Sequence, residues 1–268
     1  MARTLDLVAG ATLALDKPLT WSSFSLVNKF RYEACRYLGI RKLKVGHAGT
    51  LDPLATGVMI LCTGKHTKRI PELQEGRKEY IADIRLGETT PTYDAETEPD
   101  ATFPTEHITQ ALVEETLQQF LGKIDQVPPA FSAVKVDGKR AYDLARKGRD
   151  FELKAKPVEI YELELLAYDL PQIKIRVACS KGTYIRSLAR DLGKALGSGG
   201  RLTDLQRTQV GDFRLEDCFQ VSDIRAFLEE HAMTLEEAAI SQEQENDPRT
   251  RERITRSPPT ILFDNEGY

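Results

Sequence analysis

Short apolar runs typical of β-strands recur along the chain, and their spacing constrains the fold more than any other feature. Turn residues bound these runs, and helical patterns of unequal length lie between some of them, without the regular strand and helix alternation of a doubly wound sheet. The predicted strands are 12–15, 58–63, 79–86, 158–166 and 173–180, and the predicted helices are 23–37, 105–120, 141–148 and 183–196. This order predicts an α+β (mixed α/β) fold.

Nucleotide-binding loops receive no support from the glycine pattern. No Gly-x-Gly-x-x-Gly follows a predicted strand, and six residues separate Gly57 from Gly64. That spacing is too long for the glycines of a P-loop, so nucleotide hydrolysis is not expected.

The net charge of −4 argues at first against a polyanionic partner, but the charge is unevenly distributed. Residues 41–78, 122–156 and 174–207 carry net charges of +5, +4 and +6, whereas 79–110 and 212–268 are acidic. If the basic segments share a face, they can bind a phosphate backbone. Solvated surfaces would give the same counts, so both interpretations stay open.

The remaining bulk features indicate a packed intracellular protein. The four cysteines are far apart in mostly apolar surroundings, which favours reduced thiols over a disulfide framework. Asp6 interrupts the short apolar stretch near the N-terminus, and no apolar run is long enough for a membrane span. We therefore expect a cytoplasmic protein without a signal peptide or membrane helix.

The segment 46–57 concentrates more candidate chemistry than any other. It places His47 and Asp52 among glycines and a proline directly before an apolar strand, so it can approach a ligand closely while the strand holds it. Two alternatives exist. Asp52 and Pro53 also match a helix N-cap followed by proline at the first helical position. His47, Cys62 and His66 are near in sequence, but their spacing fits no tight zinc pattern, and we expect no metal.

At these residues the chain resembles the bacterial tRNA pseudouridine synthase B family. The run GHAGTLDPLATGVMILCTGKHTK, residues 46–68, is similar to the catalytic loop of that family. Further motifs follow in the same order over residues 12 to about 215, which makes the resemblance far more specific than one loop. They are 14–18 with Ser22 and Ser23; Lys78 and Tyr80 with 86–87, Thr90, Thr92 and Asp94; 126–135 with Gly138, 141–142 and 145–146; and 179–188.

The resemblance implies a pseudouridine synthase fold with a central mixed, largely antiparallel sheet flanked by helices and an RNA-gripping insertion, the thumb. It implies a catalytic domain over 1–222, with the thumb at about 123–152. A short acidic C-terminal extension, 223–268, would follow, and no full PUA-type RNA-binding domain is expected. In the sequence itself, the acidic stretch 221–239 has a helical pattern, and the polar tail after it is expected to be flexible or a small appendage.

The resemblance also implies the reaction, conversion of uridine 55 in the tRNA T-loop to pseudouridine without cofactor or metal. Asp52 would be the nucleophile, Arg186 the cation that keeps it ionised, and Tyr80 and Tyr184 would hold a flipped-out base. The other implied contacts are His47 in the gap that the base leaves, Asp94 and Leu205 in the pocket, and Lys17, Lys135, Arg140 and Arg146 on the RNA.

Several alternatives remain at this stage. Arg186 could be a surface arginine that binds phosphate, either tyrosine could be a half-buried structural aromatic, and Asp94 could belong to a structural salt bridge. A synthase that depends on a guide RNA and a catalytically silent RNA-binding protein are the alternative functions. We expect a monomer that binds the T-arm of tRNA and needs no protein partner.

Two positions depart from the family pattern. Thr20 stands where the family usually has glycine, and 201–208 reads RLTDLQRT where the family usually has His-Val-x-x-Leu-Arg-Arg-Thr. The first departure is expected to stiffen a turn, and the second to alter an RNA contact.

Overall fold

The computed structural model of the chain describes residues 4–136, 138–149 and 151–246. Its strands are β1 (Thr12–Lys17), β2 (Val45–His47), β3 (Ala55–Thr63), β4 (Lys78–Leu86), β5 (Glu88–Thr89), β6 (Ala101–Thr102), β7 (Gly122–Gln126), β8 (Lys135–Val136), β9 (Lys139–Arg140), β10 (Lys156–Asp169), β11 (Gln172–Cys179), β12 (Gly200–Val210), β13 (Phe213–Arg214) and β14 (Phe219–Gln220). Its α-helices are α1 (Ser23–Leu38), α2 (Ile70–Glu75), α3 (Gln110–Gln118), α4 (Ala141–Ala145), α5 (Ile185–Ala195), α6 (Ile224–His231) and α7 (Leu235–Asn246).

The chain divides into two compact units. The first unit comprises residues 1–74 and 212–268, and the second comprises 75–211. The strands pair mainly antiparallel, with one parallel pair between β1 and β14, and helices flank them. The predicted mixed, largely antiparallel α+β architecture is therefore confirmed.

In the first unit, β1 lies between β3 and β14. It runs antiparallel to β3, with Leu15 opposite Met59, and parallel to β14, with Leu15 opposite Phe219. Helix α1 begins where the Ser22 hydroxyl accepts a hydrogen bond from the Ser25 amide, and it ends at Gly39, whose φ of 66° suits glycine. Its apolar face, which includes Leu26 and Phe30, is fully buried in the core of this unit.

Helix α6 completes that core and lies within the acidic stretch 221–239, which was predicted to be helical. Ile224, Leu228 and Ala232 are buried together with the α1 face. The Tyr37 hydroxyl also donates to the Ala232 carbonyl at 2.7 Å. The helix is thus present as predicted, and its apolar face packs into the core although the stretch is acidic overall. Residues 247–268 lie outside the described part of the chain.

In the second unit, five antiparallel strands follow the order β12, β4, β11, β10 and β7. The residues of β4 alternate, with Lys78, Tyr80, Ala82, Ile84 and Leu86 buried on one face. Helix α5 packs against this sheet so closely that a Cβ on Gly193 would lie 2.4 Å from the Gly200 amide nitrogen. A side chain at Gly193 would therefore displace the start of β12.

Two strands of this sheet were not predicted. Strand β12 contains Arg201, Thr203, Gln206 and Arg207, and so many polar residues hide its alternation. Strand β7 was assigned to the thumb, yet residues 122–126 pair with 156–160 of β10. Among the described residues, the excursion from the sheet thus begins after Gln126.

Candidate active site

The Asp52 loop connects β2 to β3 in the first unit. Strand β2 pairs with the far end of β3, with His47 opposite Leu61, and the Ala48 amide then donates to the Ile60 carbonyl at 2.9 Å. The chain turns back at 52–55, where the Ala55 amide donates to the Asp52 carbonyl at 3.0 Å. Asp52 therefore ends a loop that enters a buried strand directly, and the helix N-cap alternative is wrong because β3 begins there.

Residues of the N-terminal motif hold the Asp52 loop through hydrogen bonds. The Ser23 hydroxyl, which is buried, donates to the Leu51 carbonyl and accepts from the Leu51 amide, both at 2.9 Å. The Thr20 amide donates to the Pro53 carbonyl at 2.8 Å. The residues on both sides of Asp52 are thus held by side-chain or backbone partners, which limits how far its carboxylate can move.

Lys17 does not face solvent, and its predicted contact with RNA must be corrected. Its side chain is fully buried, and Nζ donates to the carbonyls of Pro18, Trp21 and Pro53 at 2.9, 2.7 and 3.4 Å. An ammonium enclosed in this way satisfies backbone acceptors near Asp52 instead of phosphate oxygens. The prediction failed because a lysine in a short motif gives no sign of which way it points.

Thr20 shows why the family usually has glycine at its position. Its φ of 67° lies in the left-handed region, which a β-branched residue enters only with strain. The turn closes with a long hydrogen bond of 3.4 Å from the Trp21 amide to the Pro18 carbonyl.

The residues of the metal alternative have other partners. The Thr12 hydroxyl lies 3.0 Å from Nδ1 of His66 and 3.9 Å from Sγ of Cys62. Burial lowers the pKa of His66 and raises the pKa of Cys62. Within the described ranges, no three His, Cys, Asp or Glu side chains are grouped to hold a metal ion.

Tyr80 and Leu205 lie on the same buried face of the second unit. Across the β4 and β12 pair, Tyr80 is opposite Arg207 and Leu205 is opposite Ala82, so Tyr80 and Leu205 are diagonal neighbours. Both side chains are at most 9% exposed. The sheet therefore brings together two residues that the resemblance assigns to the base pocket.

Arg186 projects from the first turn of α5 and is 5% exposed, which excludes the surface alternative. Its guanidinium donates to the carbonyls of Thr92 at 3.3 Å and Phe131 at 3.1 Å, and it lies 3.7 Å from the Asp94 carboxylate. Asp94 is buried as well, so the pair is an ion pair inside the protein. The salt-bridge alternative for Asp94 is thus correct, and its contact with Arg186 keeps it among the candidate site residues.

Two buried cations beside Tyr80 were missed as candidates. Lys78 precedes it by two residues on the same face, and Arg207 lies opposite it on β12. Burial and the nearby Arg207 guanidinium lower the pKa of Lys78 to about 8. The only sequence signal was the combination of alternation with a lysine at an inward position, which is uncommon unless the charge is compensated.

The basic segments differ in what their charges contact. In 174–207 most cations meet carboxylates: Lys174 with Asp83, Arg176 with Glu79, Glu162 and Glu164, Lys181 with Glu75, Arg190 with Asp191, and Arg201 with Glu88. Its net charge of +6 therefore overstates the free positive charge at this surface. In contrast, Lys135, Arg140 and Arg146 of the thumb are exposed.

Family comparisons agree with this geometry over most of the chain. The model described as TruB family pseudouridylate synthase, N-terminal domain, matches residues 36–185, which include Asp52, Tyr80 and Tyr184. The chain belongs to the TruB family. A second model, the tRNA pseudouridylate synthase B C-terminal domain, matches 186–243 and so includes α6.

Similar TruB-family proteins are found among bacteria. The protein named tRNA pseudouridine synthase B in Phocaeicola vulgatus is 66% identical over 221 residues, covering 82% of this chain and 94% of that one. Its namesake in Parabacteroides distasonis is 62% identical over 233 residues, covering 87% and 99%. These comparisons confirm the family that the motifs indicated.

Solved structures extend the likeness to more distant proteins. A chain of a Cbf5-Nop10-Gar1 complex is 28% identical with a TM-score of 0.62, and a chain of the archaeal box H/ACA sRNP Nop10-Cbf5 complex is 25% identical with a TM-score of 0.58. In both cases 84% of this chain is covered, but it spans only 56% of the length of the other. The likeness supports the pseudouridine synthase fold.

No helix in the described ranges meets the length and apolarity needed to cross a membrane.

Proposed function

We propose that this TruB-family enzyme converts uridine 55 in the T-loop of tRNA to pseudouridine, with Asp52 as the nucleophile. The observation that carries the proposal is the family match over 36–185, which includes a loop that holds Asp52 between a pinned turn and a buried strand. The bacterial relatives are named for tRNA as substrate. The enzyme acts as a cytoplasmic monomer on the T-arm.

The reaction needs few groups. The bond from the sugar carbon C1′ to N1 of the base breaks, the base rotates, and a bond from C1′ to C5 forms. A proton leaves C5 and N1 ends protonated, so atoms and electrons balance without an oxidant, a metal or an activated donor. An ionised carboxylate can attack either C1′ or C6 of the base, and Asp52 supplies it.

The residues of the second unit hold the base and stabilise charge in this proposal. Tyr80 and Leu205 offer adjacent apolar surface on one sheet face. Tyr80 and Tyr184 contact the extruded uridine, one by stacking on it and the other near the reacting carbons. The role that this proposal gives Arg186 is to keep the carboxylate of Asp52 ionised, because a cation offsets the penalty of burying negative charge. Asp94 orients Arg186 through their ion pair. His47 occupies the gap that the flipped base leaves.

The thumb supplies the RNA contacts. Phe131 and Tyr142 pack edge to face with ring centroids 6.1 Å apart, and Arg146 lies over the Tyr142 ring. Phosphates of the T-arm are bound by the exposed side chains of Lys135, Arg140 and Arg146. These contacts recognise the folded shape of the RNA and not its base sequence. Lys17 has no part in this contact.

The proposal is tested with the purified chain and an unmodified tRNA transcript, with pseudouridine mapped by chemical labelling. Asp52→Asn keeps tRNA affinity within a few-fold and abolishes product, because an amide is neither charged nor a comparable nucleophile. The exposed Asp212→Asn is the matched control and retains full activity. Product formation by Asp52→Asn at the wild-type rate would contradict the nucleophile assignment.

The same assay separates the alternatives. Activity only when a guide RNA is added would favour a guide-dependent synthase. Binding without product by the wild-type chain would favour an RNA-binding protein without catalysis. Product at a tRNA position outside the T-loop would keep the reaction and overturn the site.

A further inference from the structure

The start of helix α5 is joined to the residues that lead into the thumb by an unusual contact from Gln126. This side chain is 2% exposed at the end of β7. Its Oε1 accepts from the Tyr184 amide at 2.8 Å, and its Nε2 donates to the Tyr184 carbonyl at 3.1 Å. One amide group therefore satisfies both backbone groups of the same residue.

This double contact sets the direction in which the Tyr184 side chain leaves the backbone. The amide and carbonyl groups of a residue flank its Cα, so holding both of them sets the orientation of the Cα–Cβ bond. Tyr184 directly precedes α5, its backbone is extended, and its own side chain makes no cap hydrogen bond. Gln126 thus sets the geometry at the point where the helix begins.

Three further hydrogen bonds join α5 to the segment 126–131, which we call the thumb base. The Ser187 hydroxyl and the Arg190 guanidinium both donate to the Val127 carbonyl, at 2.8 and 3.2 Å. The Arg186 guanidinium donates to the Phe131 carbonyl at 3.1 Å. The thumb base also contains Pro128 and Pro129, whose rings restrict its backbone.

We propose that Gln126 is a positioning residue for the reaction: by holding both backbone groups of Tyr184, it aims Tyr184 and Arg186 from the first turn of α5. This inference rests on the proposed function, which places Tyr184 against the extruded base and assigns charge stabilisation to Arg186. Because the thumb base carries the amide, the start of α5 is joined to the segment that leads into the thumb, within the second unit. RNA held by the thumb is thereby positioned with respect to Tyr184 and Arg186.

The test is Gln126→Glu, which keeps the size and the acceptor but removes the donor to the Tyr184 carbonyl. At pH 8 we expect the single-turnover rate on tRNA to fall by about 10- to 100-fold, the size of effect that a small misplacement of reacting groups produces. The dissociation constant for tRNA stays within about twofold, because this buried residue does not contact RNA.

The pH profile distinguishes positioning from a general loss of structure. When the introduced carboxyl group is protonated, its O–H can donate to the Tyr184 carbonyl, and burial raises the pKa of such a group. The rate of Gln126→Glu relative to wild type should therefore recover as pH falls from 8 to 6. Gln126→Leu has no proton to gain and shows no recovery.

Controls keep the outcome decisive. Gln209→Glu makes the same chemical change on β12, where Nε2 donates to the Gly211 carbonyl at 2.7 Å, and it retains the wild-type rate. If Gln126→Glu does not fold, Ser187→Ala removes one contact to the thumb base without burying charge, and the rate falls roughly 2- to 10-fold at unchanged affinity. A wild-type rate for Gln126→Glu at pH 8, or a loss in this variant that does not recover as pH falls, overturns the inference. So does a wild-type rate for Ser187→Ala where Gln126→Glu does not fold. An inactive wild-type chain instead overturns the proposed function, and the inference with it.

Discussion

Ser23 and Lys17 hold the residues around Asp52 through backbone atoms. Ser23 donates to and accepts from Leu51, and the Lys17 ammonium donates to the carbonyl of Pro53. Neither residue needs to touch substrate to matter, since a carboxylate nucleophile works only when its loop keeps one geometry. In the proposed function, the short N-terminal motif therefore supports Asp52 through the structure of the neighbouring loop.

Replacing Lys17 tests whether its role is structural. Lys17→Met removes the ammonium donor from three backbone carbonyls, of which those of Pro18 and Pro53 keep an amide donor. We expect unfolding to require about 1–3 kcal/mol less free energy. Denaturant titration measures this loss, and Lys29→Met, on the exposed part of α1, serves as the control with little change. A variant that unfolds like wild type but binds tRNA weakly would restore the RNA-binding interpretation.

Lys78 makes stability depend on pH. Its pKa is lowered from 10.5 to about 8 in the folded chain, so between these values the unfolded chain binds more protons and stability rises with pH. From pH 7.5 to 9 the free energy of unfolding should rise by about 1 kcal/mol more in wild type than in Lys78→Met. The range stops at 9 because burial raises the pKa of Cys179 to about 11, and that thiol has the opposite effect above its usual value. Urea titrations at each pH measure this free energy. If it rises equally with pH in the two proteins, the pKa of Lys78 is not lowered.

At the scale of elements, helices α5 and α6 do different work. Helix α5 carries Tyr184 and Arg186 at its start, where the thumb base holds it, and packs at Gly193 against the beginning of β12. Helix α6 carries no candidate catalytic residue, but its apolar face closes the core of the first unit beside α1. A match to the C-terminal family model that includes α6 is consistent with this structural role.

The contribution of α6 can be measured by truncating one side chain. Leu228 is fully buried, and Leu228→Ala should lower the free energy of unfolding by about 2–4 kcal/mol through lost burial and the cavity it leaves. Ile240→Ala on α7, where the side chain is 56% exposed, should change it by less than about 0.5 kcal/mol. Similar small effects for both would mean that α6 does not contribute to the core of the first unit.

At the scale of the whole molecule, the net charge of −4 hides the surface that matters for RNA. Carboxylates from 75–88 and 162–164 neutralise much of the basic segment 174–207. The thumb retains exposed cations, so phosphate binding is expected to concentrate there. Long-range attraction by the protein as a whole is weak by comparison, since the total charge is negative.

Salt dependence tests this distribution. The affinity for tRNA should fall steeply as salt rises from low to physiological concentration, because phosphate contacts release counterions. Lys135→Ala, Arg140→Ala and Arg146→Ala should each reduce the slope of log affinity against log salt by about one. In the wild-type chain the Lys29 ammonium already pairs with Glu33 at 2.8 Å, so Lys29→Ala should leave the slope unchanged. A flat dependence in wild type would show that the thumb does not bind the backbone.

The sequence by itself determined the family, the fold class and the position of Asp52 in a glycine-containing loop before a strand. Ordered motifs and local periodicity carry that information, because glycine, proline and alternating apolar residues act on the backbone over a few positions. Strand β12 and the true start of the thumb were not predicted, because polar residues within a sheet are buried by neighbours that lie far away in sequence.

Only the tertiary structure decided what the polar side chains contact. It enclosed Lys17 among carbonyls and paired Arg186 with Asp94. It also paired most of the cations in 174–207 with carboxylates and placed Gln126 against the backbone of Tyr184. Some of these contacts join residues that lie far apart in sequence, at no regular spacing. The others depend on the direction in which one side chain points. A residue's type fixes whether it can donate, accept or carry charge, whereas the packing of distant segments fixes which partner it meets.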